Sequence, residues 1–539
     1  MNLKKLLPLF IVLMTTLFII AACSNSDDSA DSNDNENENT SNDNQAEQES
    51  TSGEGELKIT YGAQPPTLDT YITTSRASND VARQMFETLV TTDSEYQVQP
   101  MLADSWEQSD DGLTYTFHLR EGVLFHNGEE MVAEDVVASM NAWIEKSGPG
   151  KNSFTNAEFK EIDEYTVVME LEKPLSIALP LLAYGGGSIP GIMPKEIVEA
   201  ADEEGIKEHI GTGPFKFVEW KQDQHILLER YEEYSPREEE PDGLAGRREA
   251  LVEKLYFVFV ADPMTSIAGL ETGEYDIVQG ASRDSIAQLE ANEDINVLLH
   301  SSGPLAIYFN KKNGLFTDEK ARQAVLYGVD MEAIAQAAYT SDHFYELNHN
   351  ILSYYQLGLW GTDVGKDKYN QKDTEAAKQL LEESGYNGET IRIITTRDYS
   401  DMYNGSVTLQ QQLIDLGMEV ELEIYDWPTL VDRREDETAF EILFLSNTDK
   451  PDPTSPVYMT KSFAGWTDSP ELDNILEKFW GAPSVDDAKE FNDELHAWFY
   501  DYVPVAKVAD GKGLLPSRTT VKNLQDLDGP VLWNVSNEK

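Results

Sequence analysis

"PMLADSWEQSDDGLTYTFHLREGVLFHNGEEMVAEDVVASM", residues 100–140, contains both kinds of secondary structure that recur along this chain. Within it, "YTFHL" (115–119) alternates apolar and polar side chains, which predicts a strand with one buried face. "AEDVVASMNAWIE" (133–145) spaces its apolar residues three or four positions apart, which predicts a helix. Because strands and helices alternate in this way along the chain, the sequence predicts an α/β fold built from packed layers.

Further elements are predicted outside this stretch, and no long linker separates them, so any domains are expected to be compactly joined. We expect strands at 57–63, 165–173, 211–220, 225–231, 254–262, 305–310, 389–396 and 442–447. We expect helices at 78–90, with Ser78 or Asn79 as the N-cap, and at 319–330, 373–386 and 484–503. Helix–turn–strand units are expected around Gly273 (264–278) and Gly417 (406–427).

The charge of the chain is strongly negative. Its 539 residues include 98 Asp and Glu against 41 Lys and Arg, which gives a net charge of −57. Such a surface repels phosphate groups, so a nucleic-acid partner is not expected. The composition fits either adaptation to high salt, where charge repulsion is screened, or a generally acidic bacterial surface protein.

The N-terminus has the layout of an export signal. Two lysines at 4–5 precede an apolar run over 6–20, which ends in "IAAC" (20–23). This layout predicts a signal peptide over 1–22, and the apolar run is short for a membrane span. The four residues resemble a bacterial lipobox, which implies that Cys23 becomes a lipid-modified N-terminus. The alternative is an ordinary signal peptide followed by a chance cysteine.

Residues 23–56 are mostly Ser, Asn, Asp, Glu and Gln, so they cannot bury enough apolar surface to fold. We expect a disordered acidic tether that holds the folded part at the extracellular face of the cell membrane. Cys23 is the only cysteine, which excludes an intrachain disulfide and a cysteine-based metal cluster.

No catalytic motif emerges from the sequence. The chain has no G-x-S-x-G and no H-E-x-x-H, and His343 and His349 lie six positions apart. The glycine-rich "YGGGSIPG" (184–191) lacks the lysine of a phosphate-binding loop. We therefore expect a protein that is not an enzyme and that holds no metal or cofactor.

Four stretches together resemble one known family: residues 65–93, 100–140, 211–234 and 308–334. They are similar to the large extracellular solute-binding proteins of ABC transporters, the peptide- and nickel-binding family 5. The 100–140 stretch carries the family-like series "LADSWE", "TFHLREGVLFHNG" and "AEDV". The resemblance covers 57–539 and implies a two-lobed, periplasmic-binding-protein-like α/β fold of type II.

The resemblance also implies a division of the chain. Lobe I would contain 57–300, with an inserted subdomain at about 93–205, and the returning segment 504–539. Lobe II would contain 301–503. Crossings near 300 and near 504 would act as hinges, and closure of the lobes would enclose the ligand.

The implied function is that of a monomeric, lipid-anchored receptor of the kind found in Gram-positive bacteria. It would capture oligopeptides or dipeptides and deliver them to a membrane permease with its ATPase. Two alternatives stay open: the same fold binding a nickel chelate, an oligosaccharide or another small solute, and, more remotely, an anchored extracellular enzyme.

The resemblance implies ligand-binding residues as well. "FLSNTDKPDP" (444–453) matches the stretch in which peptide-binding relatives carry an aspartate that pairs with the ligand amine, which gives Asp449 that role. Ser446 stands where the family often has tryptophan, and Asn447 would hydrogen-bond the ligand instead. The alternative is that Asp449 caps a turn before Pro451.

Two further positions are candidates. Thr74, Ser75 and Arg76 match a segment that lines the cleft in relatives, where Arg76 would either meet a carboxylate or stay solvated. Trp427 would either stack on the ligand or belong to the core. Arg120 and Arg322 lie inside fold motifs and are predicted to be structural.

Overall fold

An eleven-stranded mixed sheet runs through residues 55–539, the part of the chain that the computed structural model describes. The predicted signal peptide, Cys23 and nearly all of the acidic tether lie outside these residues. Among the described residues, no helix has both the length and the apolar character needed to cross a membrane.

The strands, numbered along the chain, are β1 (Glu56–Tyr61), β2 (Val90–Thr92), β3 (Val98–Pro100), β4 (Ala103–Gln108), β5 (Thr114–Leu119), β6 (Glu158–Asp163), β7 (Thr166–Glu170), β8 (Phe215–Lys221), β9 (His225–Arg230), β10 (Lys254–Phe259), β11 (Ile277–Val278), β12 (Ile295–Phe309), β13 (Tyr345–Glu346), β14 (Thr390–Thr396), β15 (Glu419–Tyr425), β16 (Ile442–Ser446), β17 (Val505–Arg518), β18 (Val521–Lys522), β19 (Gln525–Asp526), β20 (Pro530–Val531) and β21 (Ser536–Asn537).

The α-helices are α1 (Arg76–Ala82), α2 (Ala133–Lys146), α3 (Gly148–Ser153), α4 (Ala178–Ala183), α5 (Lys195–Ala200), α6 (Pro263–Thr272), α7 (Ile286–Glu290), α8 (Glu319–Gly328), α9 (Met331–Tyr339), α10 (Leu357–Trp360), α11 (Thr374–Glu383), α12 (Ser400–Asp415), α13 (Trp427–Arg434), α14 (Pro470–Trp480) and α15 (Val485–Tyr502).

The large sheet has the strand order β15-β14-β16-β12-β17-β11-β1-β10-β9-β8, and β13 pairs with β17 beside this path. Its two ends contain parallel pairs, β14 with β15 and β1 with β10. Its middle is formed by the two long strands β12 and β17, which pair antiparallel from Ile295–Arg518 to Tyr308–Val505. These two strands therefore connect the two halves of the sheet.

The pairing of β12 with β17 is irregular midway, with register shifts between Ser301 and Gly303 and between Leu305 and Ala306. Gly303 has φ +84°, and a Cβ at this position would collide with the backbone of Asn447, so only glycine fits. The predicted crossings near 300 and near 504 fall at this irregular segment and just before β17. The lobe boundaries themselves stay a prediction.

Buried apolar side chains gather into two large clusters. One contains most of β12, β14 and β16 with the helices packed on them, including α8, α9, α12 and α15. The other contains β1, β10 and the four-stranded antiparallel sheet β4-β5-β7-β6 with α2. That small sheet lies within the segment predicted to be an inserted subdomain. Asn141 of α2 pairs with the backbone of Phe159 in β6, which fixes the helix on the sheet.

The helix predicted over 78–90 is wrong in its extent and in its N-cap. Helix α1 ends at Ala82, and Ser75 caps it. Beyond α1, the carbonyls of Gln84 and Met85 accept hydrogen bonds from Phe215 (3.1 Å) and Gly213 (2.8 Å) instead of continuing a helix. A Cβ on Gly213 would lie 2.6 Å from the carbonyl oxygen of Gln84, so this close approach of two backbones requires glycine.

Candidate ligand-binding cavity

A cavity of about 980 Å³ opens beside the middle of the large sheet. Its wall includes residues 299–302 of β12 and segments from both predicted lobes. Segments of predicted lobe I come from 74–79, 94–96, 177–188 and 526–528, and those of predicted lobe II from 354–355, 448–461 and 473–480. This size is at the upper end for small-molecule sites, roughly 300–1,000 Å³.

The N-terminus of α1 presents Arg76 to the cavity. Its Nη2 lies 3.1 Å from a carboxylate oxygen of Asp526, and its Nε lies 3.8 Å from Asp80. Asp80 is fully buried and accepts a hydrogen bond from the Tyr61 hydroxyl (2.9 Å). Burial raises the pKa of Asp80 to about 6, although Arg76 opposes this shift. The guanidinium of Arg76 is thus already paired with carboxylates of the protein.

Arg83, the C-cap of α1, holds the C-terminal loop of the cavity wall in place. Its guanidinium donates hydrogen bonds to the carbonyls of Leu527 (2.8 Å), Asp528 (2.9 Å) and Gly185 (2.8 Å). Asp528 has φ +54° and Gly529 has φ +140°, so the loop turns sharply there. Through these bonds α1, the glycine-rich loop and the C-terminal loop form one piece of wall.

Asp449 enters the cavity from the loop after β16. Its carboxylate accepts a hydrogen bond from the Ser353 hydroxyl, and its carbonyl accepts one from the Tyr184 hydroxyl (3.2 Å). Next to it, the Lys450 carbonyl accepts a hydrogen bond from Gln356 Nε2 (2.7 Å). Asp449 is therefore fixed from two other segments of the chain.

Tyrosine rings cover the part of the wall between Asp449 and Asp528. The rings of Tyr96 and Tyr355 lie 5.2 Å apart, and the hydroxyl of Tyr355 donates to Asp528 Oδ1 at 3.4 Å. Burial, and next the charge of Asp449, raise the pKa of Asp528 to about 7. The carboxyl of Asp528 therefore keeps its proton to a higher pH than an ordinary aspartate does.

Several predicted site residues line this cavity, and others do not. Thr74, Arg76 and Asp449 are part of its wall. Ser75, between two of them, caps α1 by accepting a hydrogen bond from the backbone of Ser78. Asn447 lines a small adjoining pocket, where its Nδ2 donates to the Pro304 carbonyl (3.2 Å).

Ser446 and Trp427 lie elsewhere. The Ser446 hydroxyl donates to Asp401 Oδ2 (3.1 Å), on α12. Trp427 is the first residue of α13, and its ring stands edge-on against Tyr399 at 5.0 Å. Neither side chain belongs to the cavity wall, so a ligand role for either stays a prediction without support from this geometry.

Five further residues of the cavity wall are not predicted from the sequence: Tyr96, Tyr184, Tyr355, Asp526 and Asp528. One signal could have pointed to Asp526 and Asp528. The predicted return of residues 504–539 to lobe I would place the end of the chain near the residues of that lobe. Within residues 55–539, no cluster of three or more His, Cys, Asp or Glu side chains is arranged to hold a metal ion.

The sequence profile described as "Bacterial extracellular solute-binding proteins, family 5 Middle" matches residues 97–468. The chain belongs to this family. A relative of this family 5 protein, a probable peptide ABC transporter periplasmic-binding protein of Sinorhizobium fredii, is 30% identical over 489 residues, covering 87% of this chain and 91% of the relative. The oligopeptide-binding protein AppA of Bacillus subtilis is 27% identical over 520 residues, covering 91% and 90%.

A solved structure matches the fold of the family 5 protein. The periplasmic binding protein DppA of Helicobacter pylori, in complex with peptide STSA, superposes with a TM-score of 0.71 at 24% identity, covering 91% of this chain and 99% of that one. The two-lobed α/β fold expected from the sequence is thereby confirmed. The proteins of Sinorhizobium fredii and Helicobacter pylori are named as binding proteins of ABC transporters, and AppA of Bacillus subtilis is named as an oligopeptide-binding protein.

Proposed function

We propose that this protein is the receptor of an ABC importer that captures short peptides at the outer face of the cell membrane. The observation that carries the proposal is the cavity wall, which combines unpaired carboxylates, a basic side chain and apolar surface. A peptide offers a positive amine, a negative carboxylate and apolar side chains, and each group finds a counterpart there. The names of two relatives, a probable peptide ABC transporter periplasmic-binding protein and an oligopeptide-binding protein, support this ligand class.

Asp449 would bind the peptide amine, because a desolvated ammonium group requires a carboxylate partner. The alternative, that Asp449 only caps the turn at Pro451, is not favoured by the local hydrogen bonds. Asp452 caps the turn that follows Pro451: its carboxylate accepts from the backbone and hydroxyl of Thr454 and from the Ser455 hydroxyl. The carboxylate of Asp449 bonds instead to Ser353, far away in the sequence.

Lys450 would bind the peptide carboxylate. Its side chain lines the cavity, where Nζ donates to Thr448 Oγ1 at 2.9 Å. Burial lowers its pKa, while Asp449 opposes the shift. A ligand carboxylate would supply the full counter-charge, so binding would favour the charged form of Lys450. The lobes would then close on the ligand, and the closed monomer would be recognised by the permease with its ATPase.

A thermal-shift panel tests the ligand class. The chain from Ser24 onward is mixed with peptides of increasing length, nickel chelates and oligosaccharides. We expect peptides to raise the melting temperature, because a ligand that binds only the folded state stabilises it by mass action. If a chelate or an oligosaccharide raises it while no peptide does, the proposed ligand class is wrong and the protein binds another solute.

The membrane anchor is tested separately. We propose that Cys23 carries the lipid, since two or more acyl chains give stable attachment. Radiolabelled fatty acid should enter the full-length protein in cells, and Cys23→Ser should abolish the label and release the protein into the medium. Equal label in both forms would exclude Cys23 as the lipid site.

A further inference from the structure

Tyr96 has an unusual backbone conformation. It lies in the turn between β2 and β3 with φ +61°, in the left-handed region that favours glycine. The carboxylate of Asp93 holds this turn by accepting hydrogen bonds from the backbone of Glu95 (3.0 Å) and Gln97 (2.9 Å). A bulky residue at such a position is destabilising, so its side chain is expected to have a role that glycine could not fill.

The hydroxyl of Tyr96 is also left without a partner. The residue is only 9% exposed and lines the cavity, yet its Oη has no hydrogen-bond partner among residues 55–539. Burying an unpaired hydroxyl costs free energy. Two unfavourable features thus coincide at one residue that faces the cavity, which points to a ligand group that completes the site.

The surroundings of Tyr96 indicate the charge of that group. We define the Tyr–Asp pocket as the part of the cavity formed by Tyr96, Tyr184, Tyr355, Asp449 and Asp528. Hydrogen bonds join two of its tyrosines to the two aspartates, Tyr355 to Asp528 and Tyr184 to Asp449. Burial, and next the charge of Asp528, raise the pKa of Tyr96 well above its usual value, so its phenol stays protonated.

The two aspartates of the Tyr–Asp pocket lack ion-pair partners within the described part of the chain. Other carboxylates on the same cavity wall have them: Asp526 pairs with Arg76 at 3.1 Å, and Asp473 with Lys461 at 2.8 Å. Of these four carboxylates, the two beside the tyrosine rings are thus the ones that form no ion pair within residues 55–539.

We propose that the Tyr–Asp pocket binds a positively charged side chain of the ligand, an ammonium or guanidinium group, so that basic peptides are the preferred class. Tyrosine faces attract cations, and the Tyr96 oxygen would accept a hydrogen bond from the bound group. The negative charges of Asp449 and Asp528 together balance the positive charges of the terminal amine and the basic side chain. This inference rests on the proposed function insofar as the ligand is a peptide.

Isothermal titration with matched tripeptides tests the inference. Each peptide carries lysine at its first, second or third position, and its partner carries norleucine there, which removes the charge and keeps the chain. We expect lysine at one position to improve the Kd by about tenfold or more. If the wild-type protein binds every norleucine peptide as tightly as its lysine counterpart, the inference is wrong.

Three variants locate the effect. Asp528→Asn should reduce the preference for lysine to less than about threefold, because a neutral amide no longer attracts a cation. Asp473→Asn is the matched control: it removes a carboxylate from the same wall, but one already paired with Lys461, and it should keep the preference. A loss of preference in both variants, or in neither, would contradict the assignment to this pocket.

Tyr96→Gly is the third variant. Glycine adopts φ +61° without strain, which offsets part of the stability lost with the buried ring, and the preference for lysine should fall. A lower melting temperature with an unchanged preference would show that Tyr96 only stabilises the fold.

A simple diamine, 1,5-diaminopentane, separates this inference from the proposed function. If no tripeptide binds but the diamine binds wild type and not Asp528→Asn, the peptide proposal fails and the pocket stands. If peptides bind without regard to charge, the peptide proposal stands and the pocket fails. If neither class binds, both are wrong.

Discussion

Two aspartates three positions apart have different roles in the loop after β16. Asp452 is fully buried and caps its own turn, whereas Asp449 reaches the cavity and bonds to a distant serine. Both belong to the same acidic stretch, "TDKPDP" (448–453), so their spacing alone does not tell which one is functional. The side chains around each aspartate decide the role, and those come from other segments of the chain.

Asp449→Ala should weaken the binding of peptides with a free amine far more than the binding of acetylated peptides. Removing one partner of a desolvated charge pair costs about 2–5 kcal/mol, which is at least tenfold in Kd. Acetylated peptides carry no amine charge, so their Kd should change by less than about threefold. Titration calorimetry on both peptide forms measures the difference. Equal losses for the two forms would exclude the amine role.

Affinity for basic peptides should rise with pH around neutrality. Asp528, whose pKa is about 7, is mostly protonated below that pH and mostly ionised above it. A cation binds the ionised form, so the affinity should fall by up to about tenfold per pH unit below pH 7 and level off above it. The charged groups that face this carboxyl are Asp449, Arg83, Asp526 and Arg76.

Asp80 has a pKa of about 6, so it could also cause a pH dependence in this range. The variant Asp528→Asn is the control that separates the two carboxyls. The variant should show a flatter pH profile for the same lysine peptide, measured by calorimetry from about pH 5.5 to 8. If the variant and the wild type have superimposable pH profiles, the pH dependence of binding comes from the titration of another group.

At the level of elements, Arg322 shows how α8 is joined to the end of α15. Its buried guanidinium donates hydrogen bonds to the carbonyls of Phe316 (2.8 Å), Tyr502 (2.7 Å) and Val503 (3.1 Å). Val503 has φ +53°, where the chain leaves α15 and approaches β17. The prediction that Arg322 is structural is confirmed by these contacts.

Arg322→Met should lower the free energy of unfolding by about 3 kcal/mol or more, because several buried carbonyls lose their donors. Lys320→Ala, two positions earlier, is the control: its pair with Glu383 is exposed to solvent, so its loss should change the stability far less than the loss of Arg322. Urea unfolding measures both values. Similar stabilities of the two variants would show that the Arg322 bonds contribute little.

Elements were predictable where the local pattern matches the final packing. The hairpin of β8 and β9 and the helices α2 and α15 follow their side-chain periodicity closely. The helix predicted over 78–90 failed because the carbonyls after Ala82 bond to a segment far along the chain. Strand β12 was predicted only over 305–310, since its first half, "INVLLHSSG" (295–303), does not alternate clearly.

The whole molecule could be predicted more fully than its site. The two-lobed fold and the family were predicted from long sequence stretches that resemble family 5. Thr74, Arg76 and Asp449 were predicted from their positions in segments that match the family. Tyr96 and Asp528 were not predicted, because the cavity brings an early turn together with the C-terminal loop. No local pattern in the sequence records such a contact.

The net charge of −57 gives a prediction for the molecule as a whole. Raising NaCl from about 0.1 M to 1 M shortens the screening length from about 10 Å to 3 Å. We expect the melting temperature to rise, because relief of acid–acid repulsion outweighs the loss of surface ion pairs. An equal osmolality of sucrose is the control for solvent exclusion. If the melting temperature falls as NaCl is added, acid–acid repulsion does not outweigh the surface ion pairs.

We propose that two lobes, connected by β12 and β17, close over a peptide held in the cavity. Small-angle X-ray scattering of the chain from Ser24 onward tests it directly, with and without a saturating lysine tripeptide. If the lobes close, the radius of gyration should be smaller in the presence of the bound peptide. Identical scattering curves, with calorimetry showing the peptide bound, would contradict it.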